Sequence, residues 1–224
     1  SSAASDVYKR QPIPIIFSLA LNEMRRLRFK KLVQTVSYMP HFLSAVVVCG
    51  MIVSFTSPIH GIINQMIEAC GGSPVNFLSE SRWFVPVYVV SDVWQETGWL
   101  AILYLAAITN IDPQMYEAAT LDGASRLRQI ISITIPSIAP TIVITLILQV
   151  GSILDVSLEK VLLLYSPAIY DTADVIATYV YRQGLQSANF SYATAVGLFS
   201  GVTNLVLLLA ANTFAKKISD VSIF

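Results

Sequence analysis

Apolar and polar positions alternate in blocks along this chain rather than residue by residue. Predominantly apolar stretches cover about Ser37 to Thr56, Trp83 to Thr109, Ile135 to Leu154 and Tyr192 to Asn212. Each is close to the roughly 20 residues that a helix needs to cross a bilayer. Pro12 to Leu21 is a further apolar run of half that length. The pattern predicts an all-α membrane protein with about five spans, the first partial, its missing half belonging to an absent N-terminal portion. Ser1 to Gln11 (SSAASDVYKRQ) has no periodicity and no apolar core of a signal peptide, and reads as a disordered or foreign leader of residues 1–11 ahead of a membrane domain over 12–224.

Composition supports lipid as the solvent. Hydrophobic residues make up 54% of the 224 and charged residues only 12%, with a mean hydropathy of +0.63. Soluble domains carry about twice that share of charge. Fourteen basic and fourteen acidic side chains cancel, so their placement is what informs. Taking Arg25 to Lys31 as cytoplasmic puts Arg25, Arg26, Arg28, Lys30, Lys31, Arg126, Arg128, Lys216 and Lys217 inside, against Arg82, Lys160 and Arg182 outside. That bias orients a membrane protein. Trp83, Tyr88, Trp94 and Trp99 read as aromatic anchors of the second full span. Cys49, Cys70, His41 and His60 have no metal-ligand spacing, and His41 reads as an interfacial residue after Pro40.

The cytoplasmic connection over 112–136 is the most structured polar stretch. Asp112 suits an N-cap and Pro113 the first helical position, predicting a short helix from Pro113 to Leu121. Asp122-Gly123 supplies a turn. A second, amphipathic helix then puts Ala124, Leu127, Ile130 and Ile131 on one face with Arg126 and Gln129 off it, and Pro136 marks where the next span begins. Two short helices around a turn form a compact, alanine-surfaced knob, with Glu117 offering one charge. No Gly-x4-Gly-Lys-Ser/Thr loop is present to cradle a nucleotide.

Glu117-Ala118-Ala119, three residues, Gly123, nine residues and Ile133-Thr134-Ile135-Pro136 resemble the EAA loop of permease subunits of binding-protein-dependent ABC importers, with Ile135 in place of leucine. Leu21-Asn22-Glu23, Val33 to His41, Tyr104 to Ile108 and Tyr192 to Gly197 resemble the carbohydrate-uptake branch. The resemblance implies the type I importer permease fold and no enzymatic activity in this chain. It implies a dimer of ATPase subunits that binds ATP and magnesium, a second permease subunit and an extracellular solute-binding lipoprotein, with no nucleic-acid partner. It also implies a multi-pass location in the bacterial cytoplasmic membrane. Glu117, Ala118, Ala119, Asp122, Gly123, Ile133 and Pro136 are then the residues coupling to the ATPase. The cargo is a sugar or oligosaccharide, with peptides and other polar solutes, or an ion-coupled secondary transporter, as alternatives.

Residues that meet the cargo are expected among polar groups at membrane depth, which face bundle interiors or watery cavities more than lipid. Asp92, Gln95 and Glu96 in the second full span, Tyr179 in the external connection and Asn204 in the last span are the candidates. Tyr165, Tyr170 and Tyr181 with Asp155, Asp171 and Asp174 fit sugar contact, docking of a binding protein or simple interfacial anchoring. Asn204 equally fits helix-to-helix glue.

Overall fold

The computed structural model describes residues 11–154 and 156–219, and among these every regular element is helical. In chain order α1 is Pro12–Glu23, α2 Leu27–Tyr38, α3 Ala45–Thr56, α4 Ile62–Ala69, α5 Ser81–Thr109 and α6 Pro113–Leu121. Then follow α7 Arg126–Gln129, a π turn Ile130–Thr134, α8 Ile135–Gly151, α9 Leu158–Leu164, α10 Tyr170–Ala173, α11 Ile176–Tyr181, a second π turn Arg182–Gln186, and α12 Phe190–Ser219. Residues 1–10 of the expected leader and Asp155 lie outside the described residues.

By length and composition, two helices among the described residues suit a membrane crossing: the continuous Arg126–Gly151 and Phe190–Lys217. A third is added if α2 and α3 are counted as one broken span. The run expected as a single helix from Ser37 to Thr56 is therefore two. A 3-10 turn over Met39–Phe42, holding Pro40, ends the first; Ser44 caps the second by accepting a hydrogen bond from the Val47 amide at 3.4 Å. α5 runs for 29 residues through Pro86 over the expected Trp83 to Thr109, but with Asp92 and Glu96 in its middle it is not among the helices apolar enough to cross. α1 is short, at 12 residues.

The helix expected to start at Ile135 starts nine residues earlier. Pro136 has no N–H and its ring crowds the carbonyl four residues back. The widened π turn Ile130–Thr134, closed by the Ile135 amide on the Ile130 carbonyl, takes up that conflict just before the proline. The helix thus passes through without a break.

The chain forms two compact units. In the first, made of Phe42–Trp94 and Ile153–Asn204, the core gathers Cys49, Phe84 and Tyr88 with Val161, Leu164, Ile169 and Ala173. Asn64, 1% exposed, ties down the connection after α3. Its amide donates to the carbonyls of Ser57 and Val75, each at 3.0 Å, and its carbonyl accepts from the Val75 amide at 2.7 Å. A buried amide satisfied on this scale orders a loop that has little apolar surface.

The second unit contains 11–41, Gln95–Ser152 and 205–219. Tyr104, 1% exposed, shares a hydrogen bond of 2.8 Å with the Thr145 hydroxyl. Gln11, expected in the leader, is instead buried and donates to the Ile142 carbonyl at 2.7 Å. Gly98 permits a close approach that no other residue allows: a Cβ there would overlap the Ser37 carbonyl. Helices that lack a hydrophobic drive toward one another in lipid associate through such small-residue contacts and interhelical hydrogen bonds.

Candidate functional site

The knob over 112–136 is built locally. Asp112 caps α6, its carboxylate accepting from the Gln114 amide at 2.9 Å, with Pro113 at the first helical position. Gly123 adopts φ +77°. Its amide donates to the Thr120 carbonyl at 3.1 Å, and the Ala124 amide donates to the Ala119 carbonyl at 2.9 Å. These two bonds make a Schellman C-cap, which needs the left-handed conformation that glycine takes at little cost. Ser125 then caps α7 through the Arg128 amide. The first helix and the turn follow the expected bounds; the second helix starts at Arg126, past Ala124, and runs on into the apolar helix instead of closing at Pro136.

The interior of the knob differs from the expected face. Gln129, placed off the apolar face by periodicity, is the buried residue, at 5% exposure; Leu127 and Ile131 are 67% and 54% exposed. The Gln129 amide donates to the Thr120 hydroxyl at 3.0 Å and to the Ala124 carbonyl at 3.2 Å. Beside it, the Tyr116 and Thr134 hydroxyls share a bond of 2.9 Å, with Thr134 2% exposed at the end of the π turn. The knob is thus clamped to the helix Arg126–Gly151 at two points. The two short helices pack through polar bonds because each is too small to bury much apolar area.

What this leaves outside is a contact surface. Glu117, Ala118, Asp122, Gly123 and Pro136 are exposed, and Ala119 and Ile133 are half-buried. Leu121 stands 89% exposed at the tip of α6. The expected coupling residues lie in this one stretch, and Tyr116, Thr120, Gln129 and Thr134 hold it together from inside. Their signal in the sequence is only a hydroxyl or amide on the inner side of a short helix.

The candidate cargo residues have partners of their own. Asp92 lies 3.6 Å from the ammonium of Lys160, whose side chain is 3% exposed and sits 5.2 Å from the Tyr88 ring centre. A buried charge is tolerable when paired in this way. In the other unit the Glu96 carboxylate meets Nδ1 of His41 at 3.2 Å, and the His41 ring stacks on Trp99 with centres 4.5 Å apart and planes 3° from parallel. His41 is thus held by a carboxylate and an indole. Gln95 is half-buried between these groups along α5. Asn204, 8% exposed, accepts from the Leu154 amide at 3.4 Å. The Tyr179 hydroxyl lies 3.5 Å from that of Tyr192, the rings edge to face. Within the first unit Asp92, Tyr179 and Asn204 therefore engage three different sets of neighbours.

In the connection between α8 and α12, Arg182 holds Asp174 with both terminal guanidinium nitrogens, one at 2.9 Å, and lies 5.1 Å from the Tyr170 ring centre. That pairing holds the Asp174 carboxyl below the usual carboxylate range, aided by the Thr178 hydroxyl, against partial burial that raises it.

Residues 12–220 match the family described as binding-protein-dependent transport system inner membrane component. The polygalacturonan/rhamnogalacturonan transport system permease protein YteP of Bacillus subtilis (strain 168) is 46% identical over 213 residues, covering 95% of this chain and 66% of that protein. Protein LplB of the same organism is 40% identical over 222 residues, 99% of this chain and 70% of that one. The chain thus spans about two thirds of the length of these curated relatives. A crystal structure of a bacterial alginate ABC transporter, in complex with an alginate pentasaccharide-bound periplasmic protein, superimposes with a TM-score of 0.96 at 43% identity, over 99% of this chain and 77% of the other.

Proposed function

The chain belongs to the family of binding-protein-dependent transport system inner membrane components, and on that premise we propose that it is a permease subunit of an ABC importer that carries an oligosaccharide across the bacterial cytoplasmic membrane. The observation that carries this reading is the exposed, glycine-capped knob over 112–136, joined to a helix long and apolar enough to cross the membrane.

The mechanism follows from that joint. A separate pair of ATPase subunits binds ATP and magnesium and supplies the chemical energy. Glu117, Ala118, Ala119, Asp122 and Gly123 enter a cleft on one ATPase, small side chains allowing close approach and Leu121 giving an apolar anchor. When the ATPase pair closes, α6 moves as a rigid piece. The Tyr116–Thr134 and Gln129–Thr120 bonds pass that displacement to Arg126–Gly151 and so to the membrane segments. A two-state membrane domain biased by an attached motor alternates access between the two sides. A second permease completes the pathway, and an extracellular binding protein delivers the cargo.

The cargo class rests on the relatives. YteP is named for polygalacturonan and rhamnogalacturonan, and the structural neighbour for alginate. Oligomers of uronic acids are therefore the first to test. Asp92, Gln95, Glu96, Tyr179 and Asn204 remain proposed pathway residues, Asp92 and Glu96 acting through the pairs they form.

The test is Glu117→Lys in the full complex, reconstituted into liposomes. Membrane insertion and ATP hydrolysis should persist while uptake of an oligogalacturonide falls at least ~10-fold, a loss of about 1.4 kcal/mol of coupling. Unchanged uptake at equal expression would overturn the coupling role.

A further inference from the structure

α4, Ile62–Ala69, is amphipathic in an inverted sense. Its buried position is polar: Asn64 is fully enclosed and fixes the connection between α3 and α5. Its outward stripe is apolar. Ile62, Ile63 and Met66 are all exposed, Met66 at 65%, and Ile59 just before the helix is 79% exposed. Gln65 and Glu68 are exposed on a second strip of the same helix. Facing water, this stripe would leave four large apolar side chains side by side in solvent. A helix lying along a bilayer surface instead sinks such a stripe into the acyl boundary and keeps its polar strip among the headgroups.

Ile63 of α4 also lines a groove of about 390 Å³ within the first unit, to which α3 contributes Val48, Ile52 and Phe55 and α5 contributes Val87, Val90 and Trp94. Its two hydroxyls, on Thr56 and Ser91, already donate to the Ile52 and Tyr88 carbonyls, each at 2.7 Å, so neither has a proton left for a sugar. On α5 the lining runs from Trp83 to Trp94, which is about 16 Å along a helix. That is the depth of one leaflet of a ~30 Å hydrocarbon layer. The Trp83 end is the end of α5 away from the knob, and so the outer one on the importer reading. Arg82 stands exposed there, 5.7 Å from the centre of the Trp83 ring. Glu80 engages its Nε, which leaves the two terminal nitrogens to a phosphate.

Resting on that reading for its orientation, we infer that α4 lies in the outer membrane interface and that the groove it shares with α3 and α5 seats one acyl chain of an outer-leaflet phospholipid, with the lipid phosphate on Arg82. Three features select this occupant. The walls are apolar over the depth of one leaflet, a cation and an indole stand together at headgroup level, and the isoleucine and methionine stripe of α4 needs acyl chains beside it. The connection between α3 and α5, external by charge pattern, is then part of the membrane surface of the protein.

The assembled complex is placed in liposomes containing a phosphatidylglycerol with a diazirine midway along one acyl chain, irradiated, and its adducts located by mass spectrometry. Exposed Phe199 and Val202 of α12 serve as the reference for lipid met in passing. Adducts between Val87 and Trp94 should exceed those on α12 by at least ~5-fold, the preference of a chain held about 1 kcal/mol better than its neighbours. Val90→Trp, which fills the groove from an exposed position, should abolish the excess and leave α12 unchanged, and Arg82→Gln should reduce it. Equal yields at the two places, or an excess that survives Val90→Trp, overturn the seated chain. So does an unlabelled groove beside a labelled α12, which would mean that another protein segment covers it. An excess indifferent to Arg82→Gln overturns the phosphate contact. For α4, exposed Cys70 is replaced by serine while buried Cys49 stays, and Gln65→Cys and Met66→Cys are made singly. A charged, water-borne thiosulfonate, added outside, should react with Gln65→Cys at least ~10-fold faster than with Met66→Cys, since it needs an ionised thiol in water. Equal rates overturn the interfacial seat. Neither arm uses ATP or cargo: absence of ATP-driven uptake would sink the importer reading alone, and labelling of Gln65→Cys only from the opposite side would sink the orientation.

Discussion

The knob at 112–136 and the polar middle of α5 both break the apolar pattern, but they do so by opposite constructions. In the knob each polar bond joins residues near in sequence: Asp112 to Gln114, Thr120 to Gln129, Tyr116 to Thr134. Along α5 the partners come from far away, Asp92 meeting Lys160 and Glu96 meeting His41. The knob leaves its recognition groups exposed, whereas α5 turns its charges to other groups of the protein. Exposed groups held by a local frame suit the subunit contact proposed for the knob. Charges closed on distant partners hold helices in register.

The largest effect should come from opening the α5 pair. Lys160→Ala leaves the Asp92 carboxylate without its cation in a setting where Lys160 is 3% exposed. The expected loss is about 3–5 kcal/mol, as for other buried pairs with one partner removed. Asp92→Leu combined with Lys160→Met should recover most of it. Thermal unfolding of the detergent-solubilised complex measures both. If Lys160→Ala keeps its full transition temperature, the pair is not what holds α9 to α5. The same assay on Glu117→Lys should show no shift, which is the contrast between the two regions.

A smaller effect is expected at the C-cap of the knob. Gly123→Ala forces a side chain to φ +77°, costing about 1–2 kcal/mol of local strain. The knob should fray while the membrane segments stay intact. Hydrogen exchange should speed up at the Gly123 and Ala124 amides, whose bonds to Thr120 and Ala119 close the cap, and not in α8. Protection unchanged at both amides would remove the cap from the account.

These contrasts also explain what was legible beforehand. Asp112, Pro113 and Gly123 announce their roles by identity and spacing, so the first helix and the turn could be placed to the residue. Pro136 misled, because a proline near a helix start reads as a boundary, and nothing in Ile130–Thr134 signals that a π turn will let the helix run on. Gln129 misled because hydrophobic periodicity assigns a polar residue to solvent, yet a small polar interior wanted an amide with two acceptors. Around α5 the sequence could mark Asp92 and Glu96 as unusual for a span. It could not supply Lys160 or His41 as partners, since those contacts depend on tertiary packing. The break at Leu43-Ser44 was hidden by the continuous apolar run on either side of it.

The clamp offers a sharper probe of transmission. Tyr116→Phe removes the bond to Thr134, and Gln129→Leu removes two bonds at once. At about 0.5–1.5 kcal/mol per bond, uptake per ATP hydrolysed should fall roughly 2- to 10-fold for Tyr116→Phe, and further for Gln129→Leu, with assembly intact. Tyr116→Phe with Thr134→Val should be no worse than either alone, since both delete one interaction. Additive losses would mean that the hydroxyls act separately, and the comparison with the α5 pairs would then lose its mechanical half.

The smallest effect distinguishes an exposed pair from the buried one. Asp174 and Arg182 are 28% and 24% exposed, so solvent screens them and the pair contributes only about 0.2–1 kcal/mol. Arg182 lowers the Asp174 carboxyl below its ordinary value of 3.8 in the folded protein. A depressed carboxylate stabilises the fold fully above that ordinary value, and the contribution disappears as pH falls through the lower, folded-state value. Between pH 7 and pH 5 the segment 156–190 should therefore show constant hydrogen-exchange protection after correction for intrinsic rates. Below about pH 4 protection should drop in the parent protein, whereas Asp174→Asn should begin lower and stay level. A parent profile as flat as that of Asp174→Asn would show that the ion pair does not order this connection. The Asp92–Lys160 pair is less exposed, at 13% and 3%, so raising ionic strength should weaken the Asp174 segment well before it affects the α5 pair.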